Sequence, residues 1–340
     1  MAKITTIGID LAKNIFHIVC CDQHGKEISK RQFRRSQMLT WFAKQASCLV
    51  GMEACSGAHY WARELEKLGH QVKLIPAQRV KAYVQGNKND YNDARAIAEA
   101  VTRPRIRGVA IKTVEEQSMQ SLHRLRSRRI QERTALINQI RGLLAEYGIV
   151  IKKGPASVRK ALPRILEDGE NGLDDLMRRL LNRVWQQLQT LEEDIAFYDG
   201  ELQRVAQAHE ACRRLQSIPG YGVVVASAFY SEIGTGQQFK RGRDASASLG
   251  LVPRQHSSGG KEVLLGISKQ GDAYLRGLLI HGARSVLQHV GKKEDRLSRW
   301  AQRVLERRGY NKAVVALANK LARIGWAVLA HNTRYHSISV

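Results

Sequence analysis

Apolar positions in the first hundred residues fall in short runs that close on an acid or a turn residue. Lys3–Asp10 is β-rich and ends at Asp10. Ile15–Asp22 is a second apolar run with Gly25 in the turn beyond it, and Lys26–Phe33 alternates weakly as a third strand. Met38–Ala46 reads as helix. Cys48–Glu53 is short, apolar and again ends in an acid. Ser56–Leu68 follows as an amphipathic helix, with Ala58, Trp61, Leu65 and Leu68 on one face and Gly69 as its stop. Gln71–Ile75 is a further strand, ended by Pro76, and Asp90–Val101 is an Ala-rich helix. Strands and helices in this order predict a mixed sheet with helices against it over residues 1–103.

Pro104 and Gly108 mark a boundary, after which the period becomes helical. Val114–Tyr147 keeps Leu122, Leu125, Leu136, Ile140, Leu143 and Tyr147 at roughly helical spacing and stops at Gly148. Leu173–Ala208 repeats Met177, Leu181, Val184, Leu188, Leu191 and Ile195 at alternating steps of four and three, a coiled-coil seam. Residues 104–210 therefore predict an antiparallel helical hairpin, or a pairing with another subunit. The remainder, 211–340, opens on LQSIPGYGVVVASAFYSEIG. A Gly-, Ser- and Lys-rich stretch, Ser246–Gly271, comes next, and the chain ends in the basic helices Tyr274–Val290 and Asn311–Ala330.

Composition adds the chemistry. With 43% hydrophobic residues in 340, the chain can bury real cores, so wholesale disorder is excluded. No apolar run approaches the ~20 residues of a membrane helix. The opening MAKITTIGID lacks a signal pattern, which predicts a cytoplasmic protein, nucleoid-associated when on DNA. Five cysteines without metal-ligand spacing argue against a disulfide scaffold and structural zinc. The net charge of +24 predicts a polyanionic partner, most simply nucleic acid.

Within this basic chain, Asp10 and Glu53 end predicted strands, and Asp90 and Asp93 share one face at the start of a helix. Hard divalent cations need oxygen ligands, and phosphoryl chemistry with metal needs several carboxylates around one point. Singly, three of the acids have an ordinary role open to them, while Asp10, after a buried strand, places a carboxylate in a costly position. Asp90 suits an N-cap, Asp93 a favourable place on the helix dipole, and Glu53 an ion pair. Together, in this order, they predict a ribonuclease-H-like site. Arg124, Arg126, Arg128, Arg129 and Arg133 form a basic face that is either solvated or in contact with phosphate; the overall charge favours phosphate. Gly220 and Gly222 in SIPGYG would let backbone N–H groups approach a phosphate, or serve an ordinary helix corner. Ser257 and Ser258 sit among small residues with Arg254, Lys261, Lys269 and Arg276 near in sequence, and no adjacent base except His256. A serine there is a nucleophile only if its proton is removed and its target's charge is neutralised. His59, His123 and His281, with Trp61, Trp300 and Trp326, fit packing or surface positions.

TIGIDLAKNIFHI, GMEACSGAHYWA and KNDYNDARAIAEA together resemble the DEDD transposases of the insertion-sequence one-ten family. Piv-type DNA invertases and recombinases guided by a bridge RNA belong with them. KNDYNDARAI followed by RGLLAEYGI is more similar to the one-one-one-one branch. GLVPRQHSSGGKEVLLGISKQGDAYLR is similar to the family's C-terminal transposase domain, in which the serine directly before the Gly is the nucleophile, here Ser258.

The resemblance implies a RuvC-like domain at 1–103 with Asp10, Glu53, Asp90 and Asp93 as an Mg2+-binding tetrad. It implies a helical coiled-coil region at 104–210, and a mostly α-helical transposase domain at 211–340 with a helix-hairpin-helix-like segment. The activity implied is DNA strand cleavage and exchange through a covalent serine–DNA intermediate, with a guide RNA, assembly as dimers and tetramers, and no membrane. The rival expectations are a structure-selective nuclease that uses water, and a non-catalytic nucleic-acid-binding scaffold.

Overall fold

The computed structural model describes residues 3–87 and 89–338; Lys88, which opens the KND motif, lies outside them. The chain forms two compact units, residues 1–113 and 114–340.

The first unit is built on a five-stranded sheet of order β3-β2-β1-β4-β5. Its strands are β1 (Thr6–Asp10), β2 (Ile15–Cys21), β3 (Glu27–Arg34), β4 (Leu49–Glu53) and β5 (Gln71–Ile75). β1, β2 and β3 form an antiparallel meander, while β4 and β5 run parallel to β1, so the sheet is mixed as the pattern predicts. The helices are α1 (Met38–Phe42), α2 (Ala58–Lys67), α3 (Ala77–Val80) and α4 (Asp90–Thr102). Strand alternation divides the side chains between two faces. Ile7, Ile9, Phe16, Ile18, Val50 and Met52 pack with Trp61 and Leu65 of α2. The opposite face carries Val19 and Cys21 against Ala94 and Ala98 of α4.

That second face has its own device. Gly8 of β1 pairs with Gly51 of β4, both under α4. A Cβ at Gly8 would stand 2.1 Å from the Ala94 carbonyl oxygen, and one at Gly51 2.9 Å from the Val101 Cβ. Two glycines opposite an alanine-rich helix let α4 lie almost on the sheet backbone, and this brings its first turn to the ends of β1 and β4.

The second unit is helical apart from one hairpin. It contains α5 (Val114–Ala145), α6 (Pro155–Glu167), α7 (Asp175–Ala208), α8 (Glu210–Leu215), α9 (Val223–Ile233) and α10 (Gly242–Ser248). After these come β6 (Pro253–Gln255) and β7 (Leu264–Ile267), then α11 (Ala273–Leu287), α12 (Arg296–Arg308) and α13 (Tyr310–Ala330). α5 and α7 run antiparallel along each other, pinned by Arg126–Asp199 and Arg129–Asp194. Leu181, Leu188 and Leu191 of the predicted seam are buried with Leu136, Ile137, Ile140 and Leu144 of α5 and with α6. Leu125, placed by spacing on the apolar face, is instead exposed. Met119 of α5 shares a small core with Ala206 and Cys212, so residues on either side of position 210 fall within one unit. α6, α12 and the β6–β7 hairpin were not read from the sequence.

Contrary to the expectation that no run approaches membrane-helix length, α13 is long and apolar enough by length and composition. In the fold it is a core helix: Ala313, Val314, Leu317, Ala318, Leu321 and Ala322 are buried against the surrounding helices.

Candidate active site

Asp10 and Glu53 are the last residues of β1 and β4. The parallel register pairs Gly8 with Gly51 and Ile9 with Met52, so one step further it sets the two acids side by side. Period-two alternation turns both toward α4, because each stands two residues from a glycine under that helix. Asp90 and Asp93 lie in the first turn of α4. Capping falls to Asn89, whose side chain accepts a hydrogen bond from the Tyr91 N–H at 2.9 Å. Asp90 therefore does not serve as the N-cap, and its carboxylate is left for other work. The N-terminal end of α4 favours the anions gathered there.

The four acids feel one another. The half-buried Asp10 carboxyl is pushed up from 3.8 to about 6, chiefly by burial, then by Asp93 and Asp90; Glu53 adds to the rise and His17 opposes it. Glu53 is likewise raised, by burial and then by Asp93. A fold that holds acids against their own repulsion is suited to a cation, and a donor set dominated by carboxylate oxygens suits a hard divalent one. Asp10, Asp90 and His17 each bring a ligand atom within 4.8 Å of the others. His17 was not singled out from the sequence. It stands directly across from Asp10 on β2, and that register offers no signal in linear spacing.

In the second unit, Ser258 sits at the tip of the β6–β7 hairpin. Gly259 and Gly260 both have positive φ, 54° and 76°, and Lys261 N donates to the Ser258 carbonyl at 3.1 Å. That is a two-residue turn of the type that needs positive φ at both positions, so the SSGGK run forms a tight hairpin end. Gln255 Nε2 donates to Ser257 Oγ at 3.0 Å, while Ser258 Oγ makes no hydrogen bond among the described residues. Lys261, paired with Ser258 across the turn, is exposed, and so is Arg254, four residues before Ser258. Lys269 is also exposed, and its backbone is left-handed at φ 56°. Arg276 has a different occupation: its Nη1 donates to the carbonyls of Leu249 and Gln270, tying the hairpin base to α11. Gly250 and Gly271 permit the close crossing at that base.

The basic face of α5 is partly neutralised within the chain. Arg126 pairs with Asp199, Arg128 with Glu132, and Arg129 with both Glu132 and Asp194. Arg133 has a buried Nε with no hydrogen-bond partner among the described residues. Arg124 is exposed and, with Arg128, borders a cavity of about 220 Å3 also lined by Glu232, Asp272 and Tyr274. His123 beside it is buried and bonded to the Tyr274 hydroxyl and Ser227, and burial holds its pKa down at about 4, so it is a packed neutral ring. Gly220 has a packing reason: a Cβ there would stand 2.8 Å from the Gly282 carbonyl oxygen of α11. Gly222, before α9, faces open space.

Further basic residues gather at α12 and α13. Lys320 lies 4.0 Å over the Trp300 ring, and its pKa is lowered by burial and then by Arg296, Arg323 and Arg303. Their signal in the sequence is the excess of Lys and Arg over Asp and Glu in residues 291–334.

Comparison with known proteins finds sequence similarity over both units. Residues 7–149 match the transposase family model for IS110-type DEDD transposases, and residues 212–299 match the transposase IS116/IS110/IS902 family. The chain is 48% identical over 335 residues to the transposase for insertion sequence element IS1111A of Coxiella burnetii, covering 98% of this chain and 92% of the relative. It is 42% identical over 333 residues to the transposase for insertion sequence element IS1328 of Yersinia enterocolitica, covering 98% of this chain and 99% of the relative.

Proposed function

The chain belongs to the IS110 family of transposases, DNA-cleaving and strand-transferring enzymes with a DEDD domain, and on that premise we propose that it exchanges DNA strands through a covalent serine–DNA intermediate. The observation that carries the reading is the placement of Asp10 and Glu53 at neighbouring strand ends facing α4, whose first turn carries Asp90 and Asp93, with carboxylate oxygens of Asp10 and Asp90 within 4.8 Å of one another; a second, separate element presents an unengaged serine.

Asp10, Glu53, Asp90 and Asp93 would hold a divalent cation, which we read as Mg2+ from the predominance of carboxylate oxygens. When bound, that cation supplies Lewis-acid polarisation of a phosphate and stabilisation of the charge that develops on it. Ser258 Oγ attacks a DNA phosphorus. A serine–phosphate ester forms as the bond to one strand oxygen breaks, and that oxygen leaves with the proton given up by the hydroxyl. The number of ester bonds is unchanged, so a later attack by another strand end rejoins DNA and frees the serine. Lys261, across the turn from Ser258, and Arg254 on the same hairpin would screen the phosphate's negative charge on approach. Guidance by a bridge RNA and assembly as dimers or tetramers belong to the same proposal, as does phosphate contact by Arg124, Lys269 and the backbone at Gly222. The test is a denaturing gel of trapped reactions. The unmodified protein should give a protein–DNA adduct, Ser258→Ala none, and Ser257→Ala a milder loss. Cleavage without any adduct would instead favour a nuclease that uses water.

A further inference from the structure

Asp10 faces His17 across the β1–β2 ladder, so the two side chains leave the sheet on the same face, the one beneath α4. The His17 ring packs edge-on against Tyr91 of α4, centroids 4.8 Å apart and planes at 82°, which fixes where its nitrogens point. Nδ1 is directed at Asp90 Oδ2, 3.4 Å away. It is buried and has no hydrogen-bond partner among the described residues. A separation of 3.4 Å is too long for a good hydrogen bond. Donor atoms that share one ion through bonds of about 2.1 Å, however, lie roughly 3 Å apart. A buried ring nitrogen that faces a carboxylate oxygen and a second carboxylate, and is hydrogen-bonded to neither, is placed to share a cation with them.

We propose that His17 is a nitrogen donor to the divalent-metal site, on the side shared by Asp10 and Asp90. The proposal rests on the reading of the four acids as a metal site and adds to it a member of different chemistry. Carboxylates alone make a site for hard cations such as Mg2+; one imidazole raises the affinity for first-row transition ions relative to Mg2+, and Mn2+ is the one of these that also suits carboxylates. The strand register and the Tyr91 contact give the ring a fixed orientation, which a ligand needs and a surface histidine lacks.

The test uses the full-length protein, with Mn2+ as the probe. Pulsed electron paramagnetic resonance of the Mn2+-loaded chain should show nitrogen coupling from an imidazole. Labelling the unmodified protein with 15N-histidine should change that coupling from 14N to 15N, a readout that needs no substitution. His17→Gln should lose the coupling and bind Mn2+ roughly tenfold or more weakly, with a smaller loss for Mg2+, and circular dichroism should confirm that it is folded. Mn2+ that binds in an Asp10-dependent way without nitrogen coupling would overturn the role of His17 and leave the carboxylate site standing. Mn2+ binding unaffected by Asp10→Asn would overturn the carboxylate site itself, and this proposal with it.

Discussion

Removal of the Asp10 charge should stabilise the metal-free protein while it abolishes the response to metal. In the fold this carboxyl is displaced from 3.8 to about 6, so ionising it there is harder than in the unfolded chain. At about 1.4 kcal/mol per pH unit the displacement corresponds to about 3 kcal/mol. The group is only half-buried, and solvent screening reduces the usable figure to ~1–2 kcal/mol. The direction with pH follows from the raised value. Below pH 4 both states keep the proton and nothing is at stake. As pH climbs through 6 the unfolded chain has already released its proton while the folded chain resists, so stability is lost and stays lost above that range. Asp10→Asn removes this cost. In thermal melts at pH 7.5 with a chelator, its midpoint should lie several degrees above that of the unmodified chain, and the gap should close by pH 4. Adding Mg2+ should raise the unmodified protein by mass action and leave the variant unmoved, which narrows or reverses the order. A variant less stable than its parent at pH 7.5 without metal, or an advantage unchanged at pH 4, would refute the idea that the four acids strain the fold.

Two further outcomes follow from packing and charge. Gly8→Ala places a methyl group 2.1 Å from a backbone oxygen of α4, so it should destabilise by more than ~2 kcal/mol in denaturant titration and weaken Mn2+ binding through displacement of Asp90 and Asp93; Gly142→Ala, in open space on α5, should be neutral or stabilising by up to ~1 kcal/mol. Arg124→Ala should lower the salt slope of DNA binding by ~1 without changing sequence preference, whereas Arg126→Ala, whose charge is already met by Asp199, should change the slope little; equal slopes for the two would deny Arg124 its phosphate contact.

Much of the first unit was legible because local periodicity determines which face a side chain takes. Apolar alternation placed Asp10 and Glu53 at strand ends, and helical spacing placed Asp90 and Asp93 on one face of a first turn. The same rule found the α7 seam, since a repeat of three and four residues has one solution on a helix. What it could not supply is who stands opposite. His17 joins the acids only because the β1–β2 hairpin closes in one register, a choice made by pairing across seven residues rather than by either strand. Nothing along the strands announces that α4 comes down on both Gly8 and Gly51, and the choice between a phosphate cradle and an ordinary corner at Gly220 gains a packing reason only where α11 crosses it at Gly282. The arginines of α5 follow the same logic. Their charge is written in the chain, but Asp194 and Asp199 reach them only when α7 folds back alongside, about seventy residues later. The sequence by itself determined the elements, their faces and the chemical types at their ends. The tertiary structure alone decided the partners, because ion pairing, metal ligation and close backbone approach act over a few ångströms in space, without regard to distance along the chain.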